Sequence, residues 1–154
     1  VGPKFRTLLL SSVAIGLFFT GCKKDDPCKD LSCLNDGTCI NGKCACADGY
    51  EGESCAVEER SKLIGTYVGT IRFNSQQLPI GLVISESPER VTHVAIGDST
   101  STWSARVVGP GLIFERQVFD DGATINGSGQ LVGNTLSLYL SISGVYSILS
   151  LTKQ

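Results

Sequence analysis

Six cysteines crowded between Cys28 and Cys55, with no histidine among them, constrain this chain more than any other feature. Their spacing is C-x4-C-x5-C-x4-C-x-C-x8-C. A stretch of about thirty residues with so few aliphatic side chains cannot bury enough apolar surface to offset its chain entropy. Covalent bridges restrict the unfolded state instead, and such bridges persist in an oxidising compartment. Clustered cysteines also hold zinc, but C-x-C spacing without a nearby histidine argues against it. Six cysteines admit fifteen pairings, and spacing alone leaves the choice open.

The residues between the cysteines narrow it. Asn35-Asp36-Gly37-Thr38-Cys39, and the run from Cys44 to Cys55 with its C-x-C-x-x-G-Y-x-G-x-x-C pattern, closely resemble the EGF-like family. The resemblance covers residues 28–55 and implies that Cys28 pairs with Cys39, Cys33 with Cys44 and Cys46 with Cys55. It also makes Gly49, Tyr50 and Gly52 the signature residues. Calcium-binding members of that family carry a hydroxylatable Asn or Asp with an aromatic between the third and fourth cysteines. Here that interval is Ile40-Asn41-Gly42-Lys43, and Asp25 with Asp26 alone makes no hard-cation cage, so no calcium is expected.

The N-terminus agrees with export. Lys4 and Arg6 precede an apolar run from Leu8 to Phe19, and Thr20-Gly21-Cys22 follows. Basic, apolar, then small is the order of a signal peptide, and the run is shorter than the roughly 20 residues a membrane-spanning helix needs. Phe19-Thr20-Gly21-Cys22 resembles the lipobox of bacterial lipoproteins, which implies cleavage after residue 21 and lipidation of Cys22. The seven cysteines support this independently, because six belong to the array and Cys22 is left over. Cys22-Lys23-Lys24-Asp25-Asp26 is similar to the export signal of Bacteroidetes surface lipoproteins. The resemblance implies an outer-membrane protein, lipid-anchored and exposed at the cell surface, with residues 22–27 as a tether.

Residues 56–61 read as a charged linker, and after them the composition changes. Cysteine vanishes and Val, Ile, Leu, Ser and Thr rise, punctuated by Gly and Pro. Alternation and turn signals divide residues 62–154 into about eight strands: Leu63–Phe73, Leu78–Ser85, Val91–Ile96, Thr102–Val108, Leu112–Val118, Ala123–Leu131, Thr135–Ser143 and Val145–Lys153. Leu136, Leu138, Leu140 and Ile142 share one strand face, opposite Ser137, Tyr139 and Ser141. Short connections favour an antiparallel meander, which removes its edges by closing into a barrel; a β-sandwich is the alternative. Gly65-Thr66-Tyr67 at the head of such a meander resembles lipocalin-like or calycin barrels at the level of fold.

Little here carries catalytic chemistry. His93 is the only histidine, so Ser-His-Asp or Cys-His machinery is not expected. Asp120-Asp121-Gly122 is a turn, Gly127-Ser128-Gly129 lacks the lysine of a phosphate loop, and Trp103, the sole tryptophan, suits the core. A net charge of -2 without a basic stripe gives no support for nucleic acid. Asp98-Ser99-Thr100 resembles the O-glycosylation motif of Bacteroidetes exported proteins, placing a sugar on Ser99; the Asn126-Gly127-Ser128 sequon goes unused in a bacterium. The expected function is non-enzymatic, without cofactor: an EGF-like spacer or contact module presenting a β-barrel that binds a protein or glycan. The alternative is a carrier for a small apolar ligand, which requires an open cavity of at least about 300 Å3.

Overall fold

The computed structural model describes residues 26–97 and 101–154. The leader, Cys22 and Ser99 lie outside the described residues. The described chain is a disulfide-rich EGF-like module followed by a closed, antiparallel, eight-stranded barrel, which settles the choice against a β-sandwich.

In the module, β1 (Thr38–Ile40) pairs with β2 (Lys43–Ala45) so that Cys39 lies opposite Cys44. Asn41 and Gly42 link them at φ of 52° and 77°. This Asn-Gly turn with both central residues at positive φ matches the right-handed twist of a hairpin. Cys28 bonds to Cys39, Cys33 to Cys44 and Cys46 to Cys55, with Cα separations of 5.8, 5.6 and 5.3 Å. Cys55 has no solvent exposure.

The stretch 56–61, read from its charge as a linker, carries secondary structure of its own. β4 (Val57–Glu58) pairs with β3 (Tyr50–Glu51), and a 3-10 helix, η1 (Glu59–Lys62), follows at once. The module's last hairpin thus continues through the connector and delivers the chain to the barrel.

The barrel strands are β5 (Gly65–Phe73), β6 (Gln76–Glu86), β7 (His93–Gly97), β8 (Thr102–Val108), β9 (Gly111–Val118), β10 (Thr124–Val132), β11 (Thr135–Ile142) and β12 (Val145–Lys153). Each pairs with the next, and β12 closes on β5 from Ser147 opposite Phe73 to Lys153 opposite Tyr67. Leu63, read from its alternation as the start of the first strand, instead follows η1 with no solvent exposure. There it packs into the core, and its carbonyl accepts a hydrogen bond from the buried Tyr67 hydroxyl at 2.9 Å.

The inward residues form one cluster. It includes Leu82, Ile84, Val94, Ile96, Leu112, Phe114, Ile125, Leu136, Leu138, Leu140, Leu149 and Leu151, all at most 2% exposed. An eight-stranded barrel is just wide enough for side chains to fill it, and here large and small alternate across strands. Gly127 lies opposite Leu140 and Gly129 opposite Leu138. A Cβ on Gly129 would run into Leu138 Cδ2, and one on Gly127 into the Tyr139 carbonyl. The glycines make room for the leucines. Trp103, expected in the core, is half-buried against it near one end.

The outer wall is mixed, with Val68, Val83 and Val132 exposed beside polar side chains. From β10 across β11 and β12 to β5, outward rows read Asn126, Ser141, Tyr146; then Ser128, Tyr139, Ile148, Arg72; then Gln130, Ser137, Ser150, Thr70. Among the described residues, no helix is long and apolar enough to cross a membrane.

Candidate functional site

Three surfaces rise from this architecture: the seat of the module on the barrel, an aromatic patch on one side of the wall, and a concavity around His93 on the other.

The seat is organised by Arg60. A charged residue in η1 would ordinarily face water, but Arg60 is only 7% exposed. Its guanidinium offers five donors in a rigid fork. Nε donates to Glu58 Oε2 at 2.7 Å and Nη1 to the Ser87 carbonyl at 2.8 Å, with longer contacts to the carbonyls of Arg90 and His93 and to Glu86. The β6–β7 loop thereby gains partners for its main chain. Three further bonds fix the junction: Glu59 N donates to the Gly49 carbonyl at 2.8 Å, Lys62 Nζ to the Glu51 carboxylate at 2.9 Å, and Lys153 Nζ to the Lys62 carbonyl at 2.9 Å.

Gly49 touches the barrel directly. It is buried at φ 89°, and a Cβ there would stand 3.0 Å from Val91 Cγ1 and 3.2 Å from Thr92 Cγ2. Glycine satisfies both the left-handed conformation and the close approach. Gly52, at φ 93°, serves the turn alone, and Tyr50 is half-buried in β3 opposite Glu58.

The aromatic patch follows from alternation in β11 and β12. With Leu138, Leu140, Ser147 and Leu149 directed inward, Tyr139, Tyr146 and Ile148 must face out. They are 57%, 84% and 47% exposed, and together with Asn126 and Ser141 they border a shallow concavity of about 280 Å3. Tyrosine, serine and asparagine on a rigid surface form a composition suited to recognition, because tyrosine offers large contact area at low entropic cost. Alternation placed Tyr139 on the wet face of its strand, while Tyr146 and Ile148 carried no reading in the sequence.

His93 opens β7 and points outward, its Nδ1 2.9 Å from Thr92 Oγ1. Burial holds its pKa below the ordinary histidine value, helped by Arg90 and Arg106 and opposed by Glu115. Asp120 and Asp121 sit in the exposed turn after β9, where Asp121 accepts from the Ala123 amide at 2.9 Å. Nothing brings them near His93. Gly127 and Ser128 lie within β10 rather than in a loop. No three His, Cys, Asp or Glu side chains among the described residues are placed to share a metal ion.

These observations define a class: an EGF-like module of extracellular type fused to a side-chain-filled barrel. Comparison with known proteins supports the first half of it. Residues 28–58 match the Teneurin-like EGF domain family. The chain is also similar to two proteins of Drosophila melanogaster over 57 residues: 35% identical to "Putative neural-cadherin 2" and 32% identical to "Neural-cadherin". Each match takes in 33% of this chain, but only 3% and 2% of the respective relative. No solved structure matches the chain.

Proposed function

We propose that this protein is a non-enzymatic contact protein of the bacterial cell surface, anchored through lipid on Cys22, whose barrel recognises a glycan. The single observation that carries the reading is the filled barrel with Tyr139, Tyr146 and Ile148 left exposed on its outer wall. The inward leucine and isoleucine side chains pack as one contiguous buried cluster, which weighs against the carrier alternative. Sugar rings present an apolar C–H face and a rim of hydroxyls. Tyrosine rings with neighbouring serine and asparagine side chains offer the complementary pair of surfaces.

In this reading the EGF-like module is a rigid spacer, held to the barrel by Arg60. Lipidation rests on the Phe19-Thr20-Gly21-Cys22 pattern and on the pairing of the other six cysteines, which makes Cys22 the odd one of the seven. The non-enzymatic reading draws on the chemistry available: the one histidine is engaged with a threonine, and the module's sulfurs are consumed in bridges.

A glycan array probed with the full chain tests the idea. Binding should fall at least tenfold in Tyr139→Ala and Tyr146→Ala while the thermal transition is retained. Unchanged binding in both variants, or an apolar small molecule released from the native protein on denaturation, would refute it. Separately, palmitate labelling in the producing cells should be lost in Cys22→Ser.

A further inference from the structure

The outer wall across the barrel from the tyrosines has the opposite chemistry. Strands β7, β8 and β9 and the loop entering β7 enclose a concavity of about 220 Å3 bordered by His93, Arg90, Arg106, Arg116, Glu115 and Gln117. It forms because β8 and β9 separate. Their backbone pairing runs only from Val108 opposite Gly111 to Arg106 opposite Ile113. Beyond it the Gln117 side chain takes the place of a strand, its Oε1 accepting from the Ser104 amide at 2.8 Å and its Nε2 donating to the Ser104 carbonyl at 2.7 Å. Gln117 is thus fully occupied as floor, and the arginines supply the chemistry above it.

Three arginines border the pocket beside Glu89 and Glu115, so its formal charge is net positive on a chain of net charge -2. The one ion pair, from Arg106 Nε to Glu115 Oε1, spans a loose 3.6 Å. Arg90 and Arg116 have no ion pair or side-chain hydrogen bond among the described residues. The Thr92 hydroxyl and His93 Nδ1 share a hydrogen bond at 2.9 Å, which engages one ring nitrogen with the neighbouring side chain. The rim is also preorganised: the loop that carries Arg90 is the one pinned from beneath by Arg60. Guanidinium donors, two of the three here without an ion pair, are matched by carboxylate or sulfate oxygens, which such groups grip in bidentate fashion.

We infer that this pocket is a binding site for the carboxylate or sulfate of a ligand about the size of one monosaccharide. The site shares no residue with the tyrosine patch and does not depend on that patch binding anything. Arg106 grips the anion together with Arg90 and Arg116, while Glu115 confines the ligand to the arginine side of the pocket. Arg60 is a positioning residue that acts through the loop.

The sole histidine gives a direct readout by NMR. Glucuronate or glucose 6-sulfate should shift the His93 ring signals saturably, raise its titration midpoint, and lose affinity as salt increases; which of the two binds tells carboxylate from sulfate. Glucose should leave the signals unmoved. Arg90→Gln and Arg116→Gln, both exposed and dispensable to the fold, should together weaken the shift at least tenfold. The proposal is overturned if glucose acts like its acidic counterparts, if neither anion shifts His93, or if the double variant binds as the parent does.

Discussion

Arg60 Nη1 lies 2.8 Å from the carbonyl of Ser87, a bond from the connector to a loop 27 residues further along the chain. It makes the stretch that reads as a charged linker a joint. Two small folding units that each close their own framework are thereby held as one body.

Removing the guanidinium should therefore loosen the joint before it harms either unit. Its acidic partners Glu58 and Glu86 are partly exposed and can rehydrate, so the main loss is of the hydrogen bond to the Ser87 carbonyl, the carbonyls of Arg90 and His93 already accepting from the backbone amides of His93 and Ser87. Arg60→Ala should cost about 1–3 kcal/mol in denaturant unfolding. Hydrogen exchange at the Glu59 amide should accelerate, and Arg60→Lys should restore little because ammonium lacks the planar fork.

The module and the barrel should part under reduction. Replacing Cys46 and Cys55 together with serine opens a loop of sequence separation 9 and should destabilise the module by about 2–4 kcal/mol. Trypsin should then cut at Lys29 and Lys43, while the barrel's unfolding transition, followed through Trp103 fluorescence, survives because its core contains no sulfur.

Gly127→Ala tests the pairing of small with large inside the barrel. The added methyl meets the Tyr139 carbonyl and stands 3.0 Å from Leu140 Cδ2, on a backbone at φ 154°. Overpacking of this kind costs about 1–3 kcal/mol. Calorimetry should register that loss, and Leu140→Ala in the same chain should not rescue it, since the tightest contacts are with the backbone of the neighbouring strand.

Two groups set opposite pH limits. The pKa of His93 is lowered in the folded state, so the unfolded chain takes up its proton first. Stability from this group is whole above the ordinary histidine value of about 6.5 and is lost as pH falls through the lower folded value. Tyr67 is raised by burial, so its contribution is whole below about 10 and lost as pH rises through the folded value. Thermal melts should decline on both sides, with His93→Gln flattening the acid limb and Tyr67→Phe the alkaline one.

Most of the architecture was legible because alternation is a local signal. Leu136 to Ile142 announce a buried face by themselves, and Gly133-Asn134 and Gly144 mark the hairpins that follow. The pairing of the six cysteines was implied by family resemblance, since their spacing alone could not choose. What escaped was non-local. Nothing in the segment Glu58-Glu59-Arg60-Ser61-Lys62 announces that one of its charges is buried, because the carbonyls that satisfy it belong to residues 87–93. Leu63 kept the parity of a strand although it caps the barrel instead. The arginine pocket was invisible for the same reason: Arg90, Arg106 and Arg116 are neighbours only once the barrel has closed, and only where the Gln117 side chain replaces a missing stretch of ladder.

The last residues return to the first turn of the barrel: Lys153 Nζ reaches the Lys62 carbonyl, and the Gln154 amide donates to Thr66 O at 3.0 Å. Entry and exit of the domain therefore share one pole with the module, and the turns at Asn74-Ser75, Asp120-Gly122 and Ser143-Gly144 occupy the other. A side chain added at Gly122 or Gly144 would meet nothing within 4 Å. Foreign peptides grafted at that far pole should be displayed outward without disturbing the joint, which gives the molecule a built-in orientation: a foot and a crown.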